Sequence, residues 1–302
     1  MSKALLGKDG YLFLVNDHNG VQAQTVGLHQ LDNHAVDAIF AAHASARERA
    51  KKRGAEYVHI VAPNKETAYR DFLPIGYTYE GHGKTPLNQY NEQRPTAEQQ
   101  TFFDSDLLRP SNELVSYERG ESHWTPQGAL HYVKEAFAQL GRHDDLTRLK
   151  QIALISNEFI RQGDLALHAG LPPEIVVHAS PVDNPQVCHF EGDIVNEGYY
   201  RHYSCKSGAG RALILHDSFG QALFPFLSQI YQETLFFHCP NFAPDLESQF
   251  EPDVVIKIQA ERFFPYIPET MLSTLNWLKE VERTKKTSGK TTVFFHEMLG
   301  LQ

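Results

Sequence analysis

Two short segments of this chain hold the residue types of an acyl-transfer site: a serine nucleophile, a histidine base and an acid to orient it. The first is His216-Asp217-Ser218-Phe219-Gly220, which follows the apolar run Ala212-Leu213-Ile214-Leu215 and precedes a helix-like pattern. A serine at a strand-to-helix turn projects its hydroxyl from the sheet edge, and the first N–H groups of the helix point at whatever it attacks. Ser218 is therefore a candidate nucleophile. Asp217 and Ser218 fit a plain helix cap equally well.

The second segment is Arg119-Gly120-Glu121-Ser122-His123-Trp124-Thr125-Pro126, just before another helical pattern. In extended chain, residues two apart point to the same side, so the Glu121 carboxylate can reach one imidazole nitrogen of His123 and leave the other to act as a base. Trp124 would pack beside the ring and exclude water. A helix-entry loop with a solvated His123 is the plainer alternative. Asn64, just past the apolar run Tyr57-Val58-His59-Ile60-Val61, could donate its amide to a developing oxyanion, although Pro63-Asn64 is also an ordinary turn pair.

Other combinations fit chemistry less well. Lys206-Ser207-Gly208-Ala209-Gly210-Arg211 precedes its strand, whereas a phosphate loop follows one. His143-Asp144-Asp145 reads as a solvated cap after Gly141, and the pairs Cys188-His189 and His238-Cys239 lack a third ligand at useful spacing. Glu261-Arg262 reads either as part of a functional motif or as an ion pair at a strand end.

The elements that must position these groups are visible as periodicity. A short strand over residues 10–15, an amphipathic helix over 34–53, a strand over 57–61 and a helix from Thr125-Pro126 to Gly141 are expected. Strands over 212–215, 234–237 and 254–258 alternate with helices over 219–231 and from 268, which implies parallel strands with helices on both faces. Residues 74–112 read as a long polar excursion. A small insertion falls within 145–205, where no strand can be placed.

Composition narrows the class. Of 302 residues, 41% are hydrophobic and 22% charged, a globular profile that disfavours disorder and coiled coil. The net charge is −9, and no basic cluster exceeds Lys51-Lys52-Arg53, which argues against a nucleic-acid surface. Cys188, Cys205 and Cys239 form no C-x-x-C motif or disulfide framework. The start of the chain lacks a signal-peptide apolar run, and no window is long enough to span a membrane. A cytoplasmic protein is expected as written, or a periplasmic one if an export signal has been removed.

Together the segments resemble the alginate O-acetyltransferase family, the polysaccharide-acetylating branch of the SGNH hydrolase-like superfamily. The resemblance runs through Gly7-Lys8-Asp9-Gly10-Tyr11-Leu12-Phe13, Ala62-Pro63-Asn64-Lys65 to Leu73-Pro74, Glu121-Ser122-His123-Trp124-Thr125 with Gly128-Ala129, Asp217-Ser218-Phe219, and Pro252-Asp253-Val254-Val255-Ile256 leading to Glu261-Arg262. It covers most of the chain. It implies a single three-layer α/β/α sandwich over residues 1–302, with a mainly parallel sheet, insertions near 74–112 and 145–205, and a circularly permuted motif order that puts the acid–histidine pair before the serine.

On that mapping Ser218 is the nucleophile, His123 the general base and Glu121 the acid, with Asn64, Lys65, Trp124 and Phe219 at the substrate or oxyanion. Glu121 stands where members usually carry Asp, and His216 where they carry Gly; Glu118 is a substitute acid. The implied reaction is double displacement through an acetyl-serine, from an acetyl donor to a glycan hydroxyl, with neither cofactor nor metal. A membrane acyl-transfer partner is implied as well. The same residues would serve a carbohydrate acetylesterase, and a non-catalytic glycan-binding or assembly protein is the third alternative.

Overall fold

A computed structural model describes residues 3–74, 77, 84–94, 101–111 and 113–298; the remainder of the expected 74–112 excursion lies outside the described residues. The described chain gathers into two compact units. The first draws on Met1–Asp37, Val61–Val182 and Ala260–Tyr266, and the second on Ala38–Ile60, Asp183–Gln259 and Ile267–Gln302.

The first unit contains the antiparallel hairpin of β1 (Ala4–Leu6) and β2 (Leu12–Leu14), the short strand β4 (Thr101–Phe102), and a second antiparallel hairpin of β5 (Leu154–Arg161) and β6 (Glu174–Pro181). Its longest helix lying wholly within the unit, Pro126–Gln139, starts where the sequence expects. Thr125 Oγ1 accepts the Gly128 N–H at 3.1 Å, Pro126 fills a position that needs no donor, and Ala129, Tyr132, Val133, Ala136 and Phe137 form the buried stripe.

The sheet of the second unit runs in the order β3 (Glu56–Ala62), β11 (Val254–Ala260), β9 (Arg211–His216), β10 (Glu233–His238), β8 (Tyr200–Ser204), β7 (Val187–Glu191). β9 is parallel to both β10 and β11, with Phe236 opposite Ile214 and Ile256 opposite Ile214 on the other side. Both faces are covered. Phe236 packs on Phe224 with ring centroids 4.5 Å apart, while Phe237 packs on Phe295 and Trp277 at 5.3 and 5.7 Å. This is why β9, β10 and β11 read as continuous apolar runs rather than alternating ones.

Two expectations are refined. The sheet carries an antiparallel edge beside its parallel centre, because β8 is antiparallel to β10 and β7 antiparallel to β8. These strands come from the 145–205 stretch; a short connection joins them, too short for a crossover, and their polar residues suit a half-solvated edge. The helix expected from 268 begins at Thr274, where Ser273 Oγ caps Asn276 N and Asp245 accepts the Thr274 N–H at 2.7 Å. The fold is mixed α/β. Among the described residues, no helix is long and apolar enough to cross a membrane.

Candidate active site

The acid–base pair lies in the first unit. His123 Nδ1 and Glu121 Oε1 are 2.7 Å apart, as the spacing of two residues suggests. The longer Glu side chain folds back over its own turn, so Oε1 also accepts the N–H groups of Ser122 at 3.0 Å and His123 at 3.2 Å. Burial alone would raise the Glu121 carboxyl. The hydrogen bond and charge of His123 and the nearby Arg161 outweigh it and hold the group well below the usual carboxylate range. An ionised carboxylate only accepts, so Nδ1 carries the proton and Nε2 is the basic nitrogen. The His123 side chain is 29% exposed, open enough to meet a substrate.

Two residues near this pair are invisible to motif reading. Arg161, at the end of β5, donates to Glu121 Oε2 at 2.6 Å from 40 residues away. Asp164 accepts from the Ser122 hydroxyl at 2.5 Å and the Ser122 N–H at 2.7 Å, and its Oδ2 lies 4.0 Å from His123 Nδ1. Burial, then the charge of Glu121, raises the Asp164 carboxyl. Gly163 allows the approach: a Cβ there would stand 2.2 Å from the Gly120 carbonyl oxygen. That pair of close-packed glycines was the available signal. Donor atoms of Glu121, His123 and Asp164 lie within 4.8 Å of one another. Glu118, the substitute acid, is engaged with His178 instead.

The loop carrying Glu121 is held by a buried lysine. Lys65 is 0% exposed and donates from Nζ to the carbonyls of Glu118 at 2.6 Å, Arg119 at 2.8 Å and Glu121 at 3.1 Å. Burial brings its pKa down to about 8. Lys65, expected at the substrate or oxyanion, is instead the clamp of the loop. Its neighbours are similarly occupied. Glu66 Oε1 accepts the Leu14 N–H, and Asn64 donates its N–H to Glu261 Oε2 at 3.0 Å while its Oδ1 accepts the Arg262 N–H at 3.2 Å. Accepting through Oδ1 fixes the Asn64 amide with Nδ2 as its donor end. Trp124 is buried, its ring 5.7 Å from that of Tyr132.

Ser218 lies in the second unit, directly after β9. Asp217 caps the turn by accepting the Phe219 N–H at 2.8 Å, so the cap expected of this dipeptide belongs to Asp217. That bond takes up the Phe219 N–H, and the Phe219 ring is buried, which removes it as an oxyanion donor. Ser218 opens a 3₁₀ segment, Ser218–Leu223, before the α-helix Phe224–Ile230, where one helix over 219–231 was expected. A Cβ on Gly220 would come within 2.4 Å of His216 Cβ, so only glycine lets the turn close on β9. His216 is buried, its Nδ1 lies 2.7 Å from the Asp217 carbonyl, and burial pushes its pKa down to about 4. Cys188 is exposed, Cys205 and Cys239 are buried, and all three are free. Asp145, expected as a solvated cap, is buried between Arg142 and Arg148.

Solved structures define the class of fold. The chain is similar to the O-acetyltransferase domain of Pseudomonas putida AlgJ, with a TM-score of 0.57 and 17% identity, covering 94% of this chain and 100% of that one. It is similar to Bacillus cereus PatB1 with a TM-score of 0.60 and 15% identity over 87% of this chain and 97% of that one. PatB1 has also been solved with a sulfonyl adduct. A DHHW family protein from Eubacterium siraeum gives a TM-score of 0.60 at 13% identity, over 90% and 97% of the two chains. The resemblance to alginate O-acetyltransferase-like proteins carried by the motifs is thus met again in the fold. No protein-family model matches the chain, and no curated protein matches it in sequence.

Proposed function

We propose that this protein is a serine-dependent O-acetyltransferase that moves an acetyl group through an acetyl-serine at Ser218 to a hydroxyl of a glycan. The observation that carries the proposal is the 2.7 Å bond between Glu121 and His123, the oriented acid–base pair that such chemistry requires. Likeness of fold to an O-acetyltransferase domain supports it, and we read the fold as an SGNH hydrolase-like α/β/α sandwich with its motifs permuted.

In the proposed reaction, His123 Nε2 takes the hydroxyl proton as Ser218 Oγ bonds to the acetyl carbonyl carbon. The Asn64 amide stabilises the tetrahedral oxyanion. Collapse expels the donor's alkoxide, which leaves with the proton from His123. A sugar hydroxyl then gives its proton to His123 and attacks the acetyl-serine, and the second collapse returns Ser218. Water in place of the sugar makes the same site an acetylesterase.

Incubation with an activated acetyl ester, with and without sugar oligomers, followed by mass spectrometry of the Ser218 peptide, tests this directly. The expected result is a gain of one acetyl group on that peptide, discharged faster by sugar, with acetylated oligomer as product. Discharge to free acetate alone selects the esterase. Equal acetate release by wild type and Ser218→Ala rejects both.

A further inference from the structure

The glutamate at position 121 carries its carboxylate one methylene further from the backbone than the aspartate of the resembled motif, and the structure shows what absorbs that length. Oε1 turns back to His123 and the N–H groups of its own loop, which leaves Oε2 pointing outwards. Arg161 holds that oxygen at 2.6 Å, and its guanidinium also lies 3.7 Å from Glu118 Oε2. The arginine comes from β5, whose hairpin is itself anchored beside the loop. His178 of β6 bonds Glu118, the Gln127 side chain donates to the Val177 carbonyl at 3.0 Å, and it accepts the Ala179 N–H at 3.1 Å.

We infer that Arg161 is a positioning residue: by gripping Glu121 Oε2 it fixes the longer glutamate side chain against His123 in place of the usual aspartate. The inference rests on His123 acting as the base. The charges around Glu121 show why a cation is needed there. His123 lies beyond it on the same loop, Glu118 precedes it, Asp164 faces it from the helix Asp164–Ala169, Glu174 sits opposite Arg161 on β6 with His178 further along, and Lys65 lies beneath. Anions predominate. Two close carboxylates, Glu121 and Asp164, would hold a shared proton more readily without the guanidinium, and a protonated Glu121 no longer fixes the Nδ1–H tautomer. The side chain is 42% exposed, so its influence is partly screened.

The test uses the full chain with Arg161→Met and Arg161→Gln, the second keeping an amide donor on a shorter side chain while losing the charge. Removing a cation raises the titration midpoints of neighbouring groups, so the His123 imidazole midpoint, followed by NMR, and the acid limb of kcat/KM are both expected to rise by about half a pH unit or more. We expect kcat to fall about tenfold with KM little changed, and Arg161→Lys to restore the midpoint. Midpoints and pH profile unchanged from wild type in the variants that fold would overturn the inference. If Arg161→Met does not fold, Arg161→Gln decides. The NMR titration does so even if the protein forms no acetyl-serine, which separates failure here from failure of the proposed function.

Discussion

The loop that carries Glu121 and His123 and the turn that carries Ser218 are held in place by opposite means. Around the loop, polar groups do the holding: three carbonyls on Lys65, the Glu121 carboxylate on His123 and Arg161, and Asp164 on Ser122. Around the turn, apolar packing does most of it: β9 is buried on both faces, Gly220 closes on His216, and Asp217 caps the Phe219 N–H. The two buried lysines differ in the same sense. Lys65 serves three carbonyls. Lys257, in the second unit, donates to the Pro240 carbonyl at 2.7 Å and lies 5.4 Å from the centre of the Phe242 ring. Under the proposed function, the base that must change protonation state would sit in a network of charges that can be tuned, and the nucleophile on a rigid platform.

Substitutions can break or sharpen this contrast. The largest effect is expected from Glu121→Gln, which keeps the shape and removes the charge that orients His123. Activity should fall about a thousandfold with the fold intact by circular dichroism; a loss below tenfold would show that another group orients the base. Next, Lys65→Met leaves three buried carbonyls without their donor, so denaturant unfolding should show a loss of about 3 kcal/mol. Little loss would mean that the loop holds itself.

Lys257→Met should behave differently. Burial lowers Lys257 from 10.5 to about 8, so between those values the unfolded chain binds more protons and the stability of the wild type rises with pH. Wild-type stability minus that of Lys257→Met should therefore grow by about 3 kcal/mol from pH 8 to pH 10.5, and parallel stability curves would contradict the assignment. The smallest effect is expected from Thr125→Ala, which removes the cap of helix Pro126–Gln139 and should cost about 1 kcal/mol in the same assay.

The contrast also explains what the sequence revealed. β9 was expected over 212–215 and spans Arg211–His216, and the helix after Thr125 starts where its cap and proline indicate, because each is specified by adjacent residues. The Glu121–His123 bond was legible for the same reason. Arg161 and Asp164 were not: they reach the loop from 40 and 42 residues away, out of a stretch whose strands give no clean alternation. Lys65 was placed at the substrate or oxyanion by the resemblance alone, and only the fold brings the carbonyls of Glu118, Arg119 and Glu121 to it across 53 to 56 residues. The mixed sheet escaped notice because its antiparallel edge comes from that same stretch.

The central claim is that Ser218 and His123 act as one unit, and a double-mutant cycle on acetyl transfer tests it most directly. Ser218→Ala and His123→Asn should each lower kcat about a thousandfold or more, and the double variant should be no slower than the worse single one, because either loss disables the same step. Costs that multiply in the double variant, or a His123→Asn protein that transfers acetyl at the wild-type rate, would contradict it.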